Sequence, residues 1–276
     1  MNGTYDIRGK GKALAALFVT WVMLASAMMF TKVGPVEAHS GMSHHMDLTH
    51  IEIYDGDTLH EICMHSVAGY CMQRTGGAMF TVDVACTFRA MQEGLEALWG
   101  NEIPEREDVK VISALPSYSS VVAFEFLTGT GPDQHSIKAK GDFSLVLPDG
   151  TEVQDRSYQN LQLLSRDISL ENYRFTFMRP STGESLTIAV KEDVFPAGFF
   201  ELQKKALFGI PERATIQELD QHAVHHTVVS ERFLTRPSWK LFEDAKRPFP
   251  MVGGVFTIGM MLLIVAGAVY SRLPKR

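Results

Sequence analysis

The stretch Thr81-Val-Asp-Val-Ala-Cys-Thr-Phe-Arg-Ala-Met-Gln-Glu-Gly-Leu-Glu-Ala-Leu-Trp99 decides the fold of this chain. Its large apolar side chains recur at three- and four-residue spacings, at Val84, Phe88, Met91, Leu95 and Leu98. This periodicity predicts an amphipathic helix that packs one stripe into a core, and Gly100 is a typical helix-ending residue. We therefore expect a folded domain built around this helix.

The segments that follow predict strands. Val109 to Leu115 and Ser120 to Phe126 are short apolar runs of strand length. Phe143 to Leu147 precedes Pro-Asp-Gly, and Tyr173 to Met178 precedes a turn at Pro180 to Gly183. These runs predict a sheet.

The pattern becomes helical again after Phe195 and breaks at Gly209-Ile210-Pro211. A long helix is predicted to begin near Thr215, because Thr215 and Glu218 have the spacing of a capping box. The predicted fold class is therefore α+β, a mixed sheet packed with helices over residues 57–245.

Two apolar spans flank this domain. Residues 251–271 include twenty uncharged residues and precede a basic tail, residues 272–276, which is typical of a transmembrane helix. Residues 13–31 follow a basic tail, residues 1–12, and are either a second transmembrane helix or a signal sequence cleaved after Ala38. Both alternatives predict a domain outside the cytoplasmic membrane, periplasmic or extracellular, with the bilayer as a partner and membrane protein subunits packed on the C-terminal span.

Composition limits the classes of function. The chain has 276 residues, 45% of them hydrophobic, and a net charge of -6 with acids and bases interspersed. A nucleic-acid-binding protein needs a clustered basic face, so we expect no nucleic-acid partner. Gly129-Thr-Gly131 lacks the flanking pattern of a nucleotide-binding loop, so we expect no nucleotide cofactor.

Several short motifs occur in an order that resembles the FmdE family of formylmethanofuran dehydrogenase proteins, over roughly Asp57 to Asp244. They are Phe88-Arg89-Ala90, Ala123, Leu127-Thr128-Gly129, Gly209 through Ala214-Thr215 with Glu218, Pro237, and Leu241-Phe242. The resemblance implies an α+β fold with metal ligands close to the first long helix.

The chain departs from that family at the ligand positions. Gly77, Met79 and Thr81 stand where the family has two histidines and a cysteine, and Ser119 and Val122 stand where it has a cysteine and an aspartate. Thr130 replaces a further cysteine, and the family's C-terminal zinc module is absent. The site that the resemblance implies is therefore lost or rebuilt.

Residues for a rebuilt site lie just before the helix. His60, Cys63, His65 and Cys71 place imidazole and thiol groups within a short stretch, and these are typical zinc ligands. A disulfide between Cys63 and Cys71 is the alternative that the sequence leaves open.

The predicted linker, residues 39–56, is rich in His and Met. Imidazole suits Cu(II) or Zn(II) and thioether suits Cu(I), so His39, His44, His45 and His50 are candidate copper or zinc ligands. The alternative is a solvated linker with no such role.

A third group, His222, His225 and His226, lies on one face of the last long helix, where we favour surface or packing roles over metal binding.

We therefore favour a metal-binding accessory or scaffold protein of a membrane or redox complex, anchored outside the cytoplasm. The alternative is an enzyme, or enzyme subunit, of one-carbon or redox metabolism with a rebuilt Cys and His metal site.

Overall fold

The computed structural model describes residues 50–76 and 81–243, and the first elements in that range are a hairpin and a helix. Strands β1 (Ile51–Asp55) and β2 (Thr58–Ile62) pair antiparallel, and Gly56 in their turn has a φ of 59°, a left-handed conformation that suits glycine. Helix α1 (Met64–Thr75) follows directly. The hairpin therefore begins inside the predicted linker.

The predicted central helix is confirmed as α2 (Val82–Trp99). Thr81 caps it, because its side chain accepts a 3.3 Å hydrogen bond from the backbone N–H of Val84. Gly100 ends the helix with a φ of 63°. The predicted apolar stripe is buried along the helix, with Val84, Phe88 and Met91 at 0% exposure.

A five-stranded mixed sheet forms the second layer, in the order β4-β3-β5-β6-β7. Strands β3 (Lys110–Ser113) and β4 (Asp142–Leu145) are parallel. Strands β5 (Arg174–Arg179), β6 (Glu184–Val190) and β7 (Phe242–Glu243) continue the sheet antiparallel. Three of the predicted strand runs thus lie in one sheet.

The remaining helices pack around α2 and the sheet. They are α3 (Tyr118–Thr128), α4 (Tyr158–Leu164), α5 (Phe199–Phe208), α6 (Ile216–Thr235) and the short α7 (Ser238–Leu241). The capping box predicted at the start of α6 is present, with the Thr215 hydroxyl and the Glu218 carboxylate each accepting the other residue's backbone N–H.

The core lies between α2, α3 and one face of the sheet. Phe175 and Phe177 point from β5 into this core, whereas Thr176 lies on the opposite, more open face and bonds Thr187. Helix α2 approaches the sheet closely at Gly94, where a Cβ atom would lie 2.3 Å from the ring of Phe177. The absence of a side chain at Gly94 therefore sets the distance between the layers.

The strand predicted at Ser120 to Phe126 is wrong, because these residues lie in α3. The segment is buried on most sides, including Val121, Val122 and Phe124. A continuous apolar run does not distinguish a buried helix from a buried strand, and its β-branched residues favoured the wrong choice.

The flanking transmembrane helices are a correction to the predicted fold class. Within residues 50–76 and 81–243, no helix combines the length and apolarity that a membrane crossing requires. The predicted spans, residues 13–31 and 251–271, lie outside the described residues, as do both predicted tails. Membrane anchorage and the extracytoplasmic localisation inferred from it are therefore not supported, and the confirmed part of the fold class is the α+β domain.

Candidate functional site

The predicted ligands before α2 are distributed over the hairpin and α1. His50 precedes β1 and is exposed, as is His65 in the first turn of α1. His60 lies on β2, where its Nε2 is 3.8 Å from a carboxylate oxygen of Asp55. This spread gives the histidines no common centre.

The two cysteines of this group have separate environments. Cys63 precedes α1, and its Sγ lies 3.2 Å from the Ser66 hydroxyl. Cys71 is buried, and its thiol donates to the backbone carbonyl of Ser119 at 3.7 Å. Both thiols are free, so the alternative of a Cys63–Cys71 disulfide is wrong. Burial raises the pKa of Cys71 to about 12, which disfavours the thiolate that a metal or a nucleophilic reaction requires.

Metal binding by the described candidates is a second correction. Among residues 50–76 and 81–243, no three His, Cys, Asp or Glu side chains lie close enough together to hold a metal ion. His50, His60, Cys63, His65 and Cys71 are therefore not gathered into a group of three ligands in this part of the chain. His39, His44 and His45 lie outside the described residues, so copper or zinc binding there stays a prediction.

The described positions that the resemblance aligns with metal ligands make structural contacts. Gly77 and Met79 lie outside the described residues. Val122 is buried in the core, and the Thr130 hydroxyl lies 2.9 Å from that of Thr128. Thr81 caps α2, and the Ser119 carbonyl accepts from the Cys71 thiol. Each described residue that stands at a ligand position of the family therefore makes a structural contact.

A polar cluster lies nearby, at the start of α2. Asp83 is in the first turn of this helix, and its Oδ1 accepts a 2.9 Å hydrogen bond from the hydroxyl of Tyr173. Its Oδ2 accepts a 2.5 Å hydrogen bond from the hydroxyl of Ser117, which precedes α3. These three residues, the Asp83 cluster, tie the starts of α2, α3 and β5 together.

Burial determines the chemistry of the cluster. Tyr173 is 1% exposed and Ser117 is 7% exposed. Burial and the charge of Asp83 raise the pKa of Tyr173 well above its usual value, so the phenol stays protonated and remains a donor. Cys86, one turn further along α2, is also buried, and burial raises its thiol pKa.

Two histidines of α6 complete the surroundings of the cluster. The His226 ring packs 5.6 Å from the ring of Phe199, and the His222 and His226 rings are 4.4 Å apart between centroids. Burial lowers the pKa of both, to about 4 for His222, whereas the charge of Asp83 acts in the opposite direction on His226. Of the predicted histidine face, His222 and His226 therefore pack within the domain as neutral rings.

Asp55, on β1, is a buried acid outside this cluster. Its Oδ1 accepts backbone N–H bonds from Lys138 at 2.9 Å and Ala139 at 2.6 Å. Burial alone would raise its pKa, but these N–H bonds, with the charges of Arg106 and His60, lower the pKa overall. The Arg106 guanidinium is itself 2% exposed. Asp55 thus holds the loop after α3 and balances a buried cation.

The chain matches no protein-family model, no curated protein and no solved structure.

The Asp83 cluster was missed by sequence reasoning. Asp83 alone has a recognisable signal, since an acid in the first turn after a capping Thr is favoured by the helix dipole. Ser117 and Tyr173 are 34 and 90 residues further along the chain, so no spacing pattern connects them with Asp83. A carboxylate, a phenol and two imidazoles could serve acid–base chemistry, but both hydroxyls are already committed to the carboxylate.

Proposed function

We propose that this chain is a non-catalytic accessory protein, in which a domain that resembles the FmdE family serves as a scaffold for binding another protein. The observation that carries the proposal is the mutual satisfaction of the polar groups at the start of α2 and α3. Asp83 accepts from Ser117 and Tyr173, and the Cys71 thiol donates to the Ser119 carbonyl. A site built for a metal or substrate would instead keep polar groups available to it.

The hydrogen bonds that Asp83 accepts suit a role in stabilising the fold better than a role in catalysis. A carboxylate that accepts from two hydroxyl donors is a stabilising unit, because hydrogen bonds to a charged group are worth about 1.5–3 kcal/mol each. Using the carboxylate in a reaction would require breaking one of these bonds.

The surface of α5 and α6 supports a binding role. Of the 20 residues of α6, Val229 and Phe233 are the buried ones, whereas Ile216, Leu219 and Val224 are 80%, 45% and 59% exposed. Leu207, at the end of α5, is 56% exposed. We assign the protein contact to these exposed apolar side chains of α5 and α6.

The alternative of an enzyme with a rebuilt Cys and His site has less support. Cys71 is buried and bonded to a carbonyl, whereas His65 is exposed. His65 and Cys71 are six residues apart on α1 and lie on different faces of it, so bringing both to one metal would require α1 to unfold.

Site-specific photocrosslinking of the full chain in its native cells tests the proposal. A photoreactive residue at Leu219 should give one discrete heavier product that contains a second protein. The control is the same residue at Ser185, which is exposed on β6. The same crosslinked products from both positions, or no product from Leu219, would refute the proposal that the scaffold binds a partner through α6.

A further inference from the structure

The two halves of α6 are held to the domain by different interactions. The C-terminal half is anchored by the buried side chains of Val229 and Phe233, and Arg232 Nη1 donates to the carbonyls of Asp193 and Val194 at 3.1 and 2.8 Å. The N-terminal half, from Ile216 to Val224, has mostly exposed side chains. Within this range Glu218 and His222 are the partly buried side chains, and His226 follows His222 one turn later.

These histidines are placed where taking up a proton is unfavourable. In the described part of the chain, Nε2 of His222 and Nε2 of His226 are buried and have no hydrogen-bond partner. Their ring centroids are 4.4 Å apart, so two protonated rings would repel each other at close range.

The groups around the pair do little to compensate such a charge. Asp83 of α2 is the acid whose field acts on His226, but its oxygens already accept from Tyr173 and Ser117. On α5, the Lys204 ammonium pairs with Asp167 and the Lys205 ammonium pairs with Glu212 and Glu218. The other titratable or charged groups on these elements are Cys86, Arg89, Glu93 and Glu96 of α2, Glu201 of α5, and Asp220, His225, Glu231 and Arg232 of α6.

The same segment covers the Asp83 cluster. Phe195, just before α5, and Phe200 within it lie 4.8 and 5.8 Å from the Tyr173 ring, and Phe199 packs on His226. Displacing α5 and the N-terminal half of α6 would therefore expose the buried phenol and the Asp83 carboxylate to solvent.

We propose that α5 and the N-terminal half of α6 form an acid-released cover, locked by the neutral His222–His226 pair and hinged at Val229. Acid protonates the pair, the cover detaches, and the sheet with the C-terminal half of α6 stays folded. The proposal does not depend on a partner for the exposed face of α6.

The difference in proton binding between the covered and released states sets the direction of the pH dependence. The covered state has His pKa values below the ordinary 6.5, so it binds fewer protons than the released state as the pH falls from 6.5 towards 4. Release is therefore absent above pH 6.5 and increases below it. Because each pKa unit of difference corresponds to a tenfold change in the equilibrium, we expect opening to increase on the order of tenfold or more by pH 5.

Hydrogen exchange of the full chain at pH 7.5 and pH 5, corrected for intrinsic exchange rates, tests the cover. Peptides from residues 199–226 should lose protection at pH 5, while peptides from β3, β5 and β6 keep theirs. Loss of protection in all peptides together would mean global acid unfolding and would overturn the proposal. Unchanged protection in residues 199–226 would overturn it as well.

Two variants make the test specific. The His222→Leu, His226→Phe double variant keeps apolar packing but cannot be protonated, so residues 199–226 should stay protected at both pH values. The His135→Gln control removes an exposed histidine of the loop after α3, and its pH response should equal that of the wild-type chain. A pH response that survives in the double variant would show that other groups cause it.

Discussion

The hydroxyl of Tyr173, next to the central strand β5, donates a 2.9 Å hydrogen bond to Asp83 in the first turn of α2. The two residues are 90 positions apart, and their bond joins the helix layer to the sheet in the interior of the domain. The second carboxylate oxygen fixes the start of α3 through Ser117. One acid therefore sets the relative positions of three elements.

Tyr173→Phe should destabilise the domain by about 1.5–3 kcal/mol, since it removes a hydrogen bond to a charged group in a buried setting. Equilibrium unfolding in urea, followed by circular dichroism, measures this change. The matched control is Tyr158→Phe, because Tyr158 is 53% exposed and the same loss of a hydroxyl should cost little there. Equal losses of unfolding free energy in both variants would show that the hydrogen bond between Tyr173 and Asp83 does not stabilise the domain.

The sequence predicted the elements whose signals are local. The stripe of α2, the capping box of α6 and the turns after β4 and β5 each depend on residues a few positions apart, and each is present. The hairpin before α1 was not predicted, because its apolar residues alternate over only five positions per strand next to a polar segment. Helix α3 was misassigned because its buried sequence carries no periodicity.

The candidate site could not be predicted for a different reason. Its members come from α2, the turn before α3 and the start of β5, and only the tertiary fold brings them together. The sequence instead pointed to Cys71 and the histidines near it as metal ligands. In the structure Cys71 is buried whereas His65 is exposed, so these side chains do not meet. Cys71 packs inward as a small apolar side chain, as free cysteines often do.

Asp55→Asn should reduce stability at pH 7 by about 2–3 kcal/mol, because the loop amides lose a charged acceptor and Arg106 loses its nearby anion. The lowered pKa of Asp55 means that its contribution is present above the ordinary value of 3.8 and is lost as the pH falls through the lower, folded value. The difference between variant and wild type should therefore shrink below pH 3.8.

Urea unfolding at pH 7, 5, 3.5 and 2.5 measures how the stabilities of the variant and the wild type converge. Asp142→Asn is a suitable control, since Asp142 pairs with Lys110 on the surface and its side chain is 56% exposed. Its effect should be small at every pH, as for exposed ion pairs in general. A constant deficit of Asp55→Asn across the series would contradict a role for the ionised carboxylate.

Gly94→Ala tests the close approach of α2 to the sheet. Its Cβ would lie 2.3 Å from the Phe177 ring, which is 0% exposed and belongs to the core. We expect a loss of about 1–3 kcal/mol from overpacking, despite the higher helix propensity of alanine. Thermal unfolding should show a lower midpoint.

Gly69→Ala is the matched control for this change. Gly69 is also inside a helix, α1, but no atom lies within 4 Å of the position that its Cβ would take. Alanine should therefore stabilise the chain here, by up to about 1 kcal/mol. A loss of similar size at both glycines would indicate a general intolerance of the helices rather than contact with Phe177.

The three cysteines should differ sharply in reactivity towards a maleimide at neutral pH. Cys63 is only partly buried, whereas Cys71 and Cys86 are at most 1% exposed, and burial raises the pKa of both buried thiols. Because the thiolate is the reactive form, native protein should take up one label rapidly, at Cys63, and denatured protein three. Mass spectrometry of the intact chain counts the labels, and Cys63→Ser should abolish the fast reaction. Fast labelling of Cys71 in the native chain would contradict its placement against the Ser119 carbonyl, and a mass two hydrogens lower without reducing agent would contradict the free thiols.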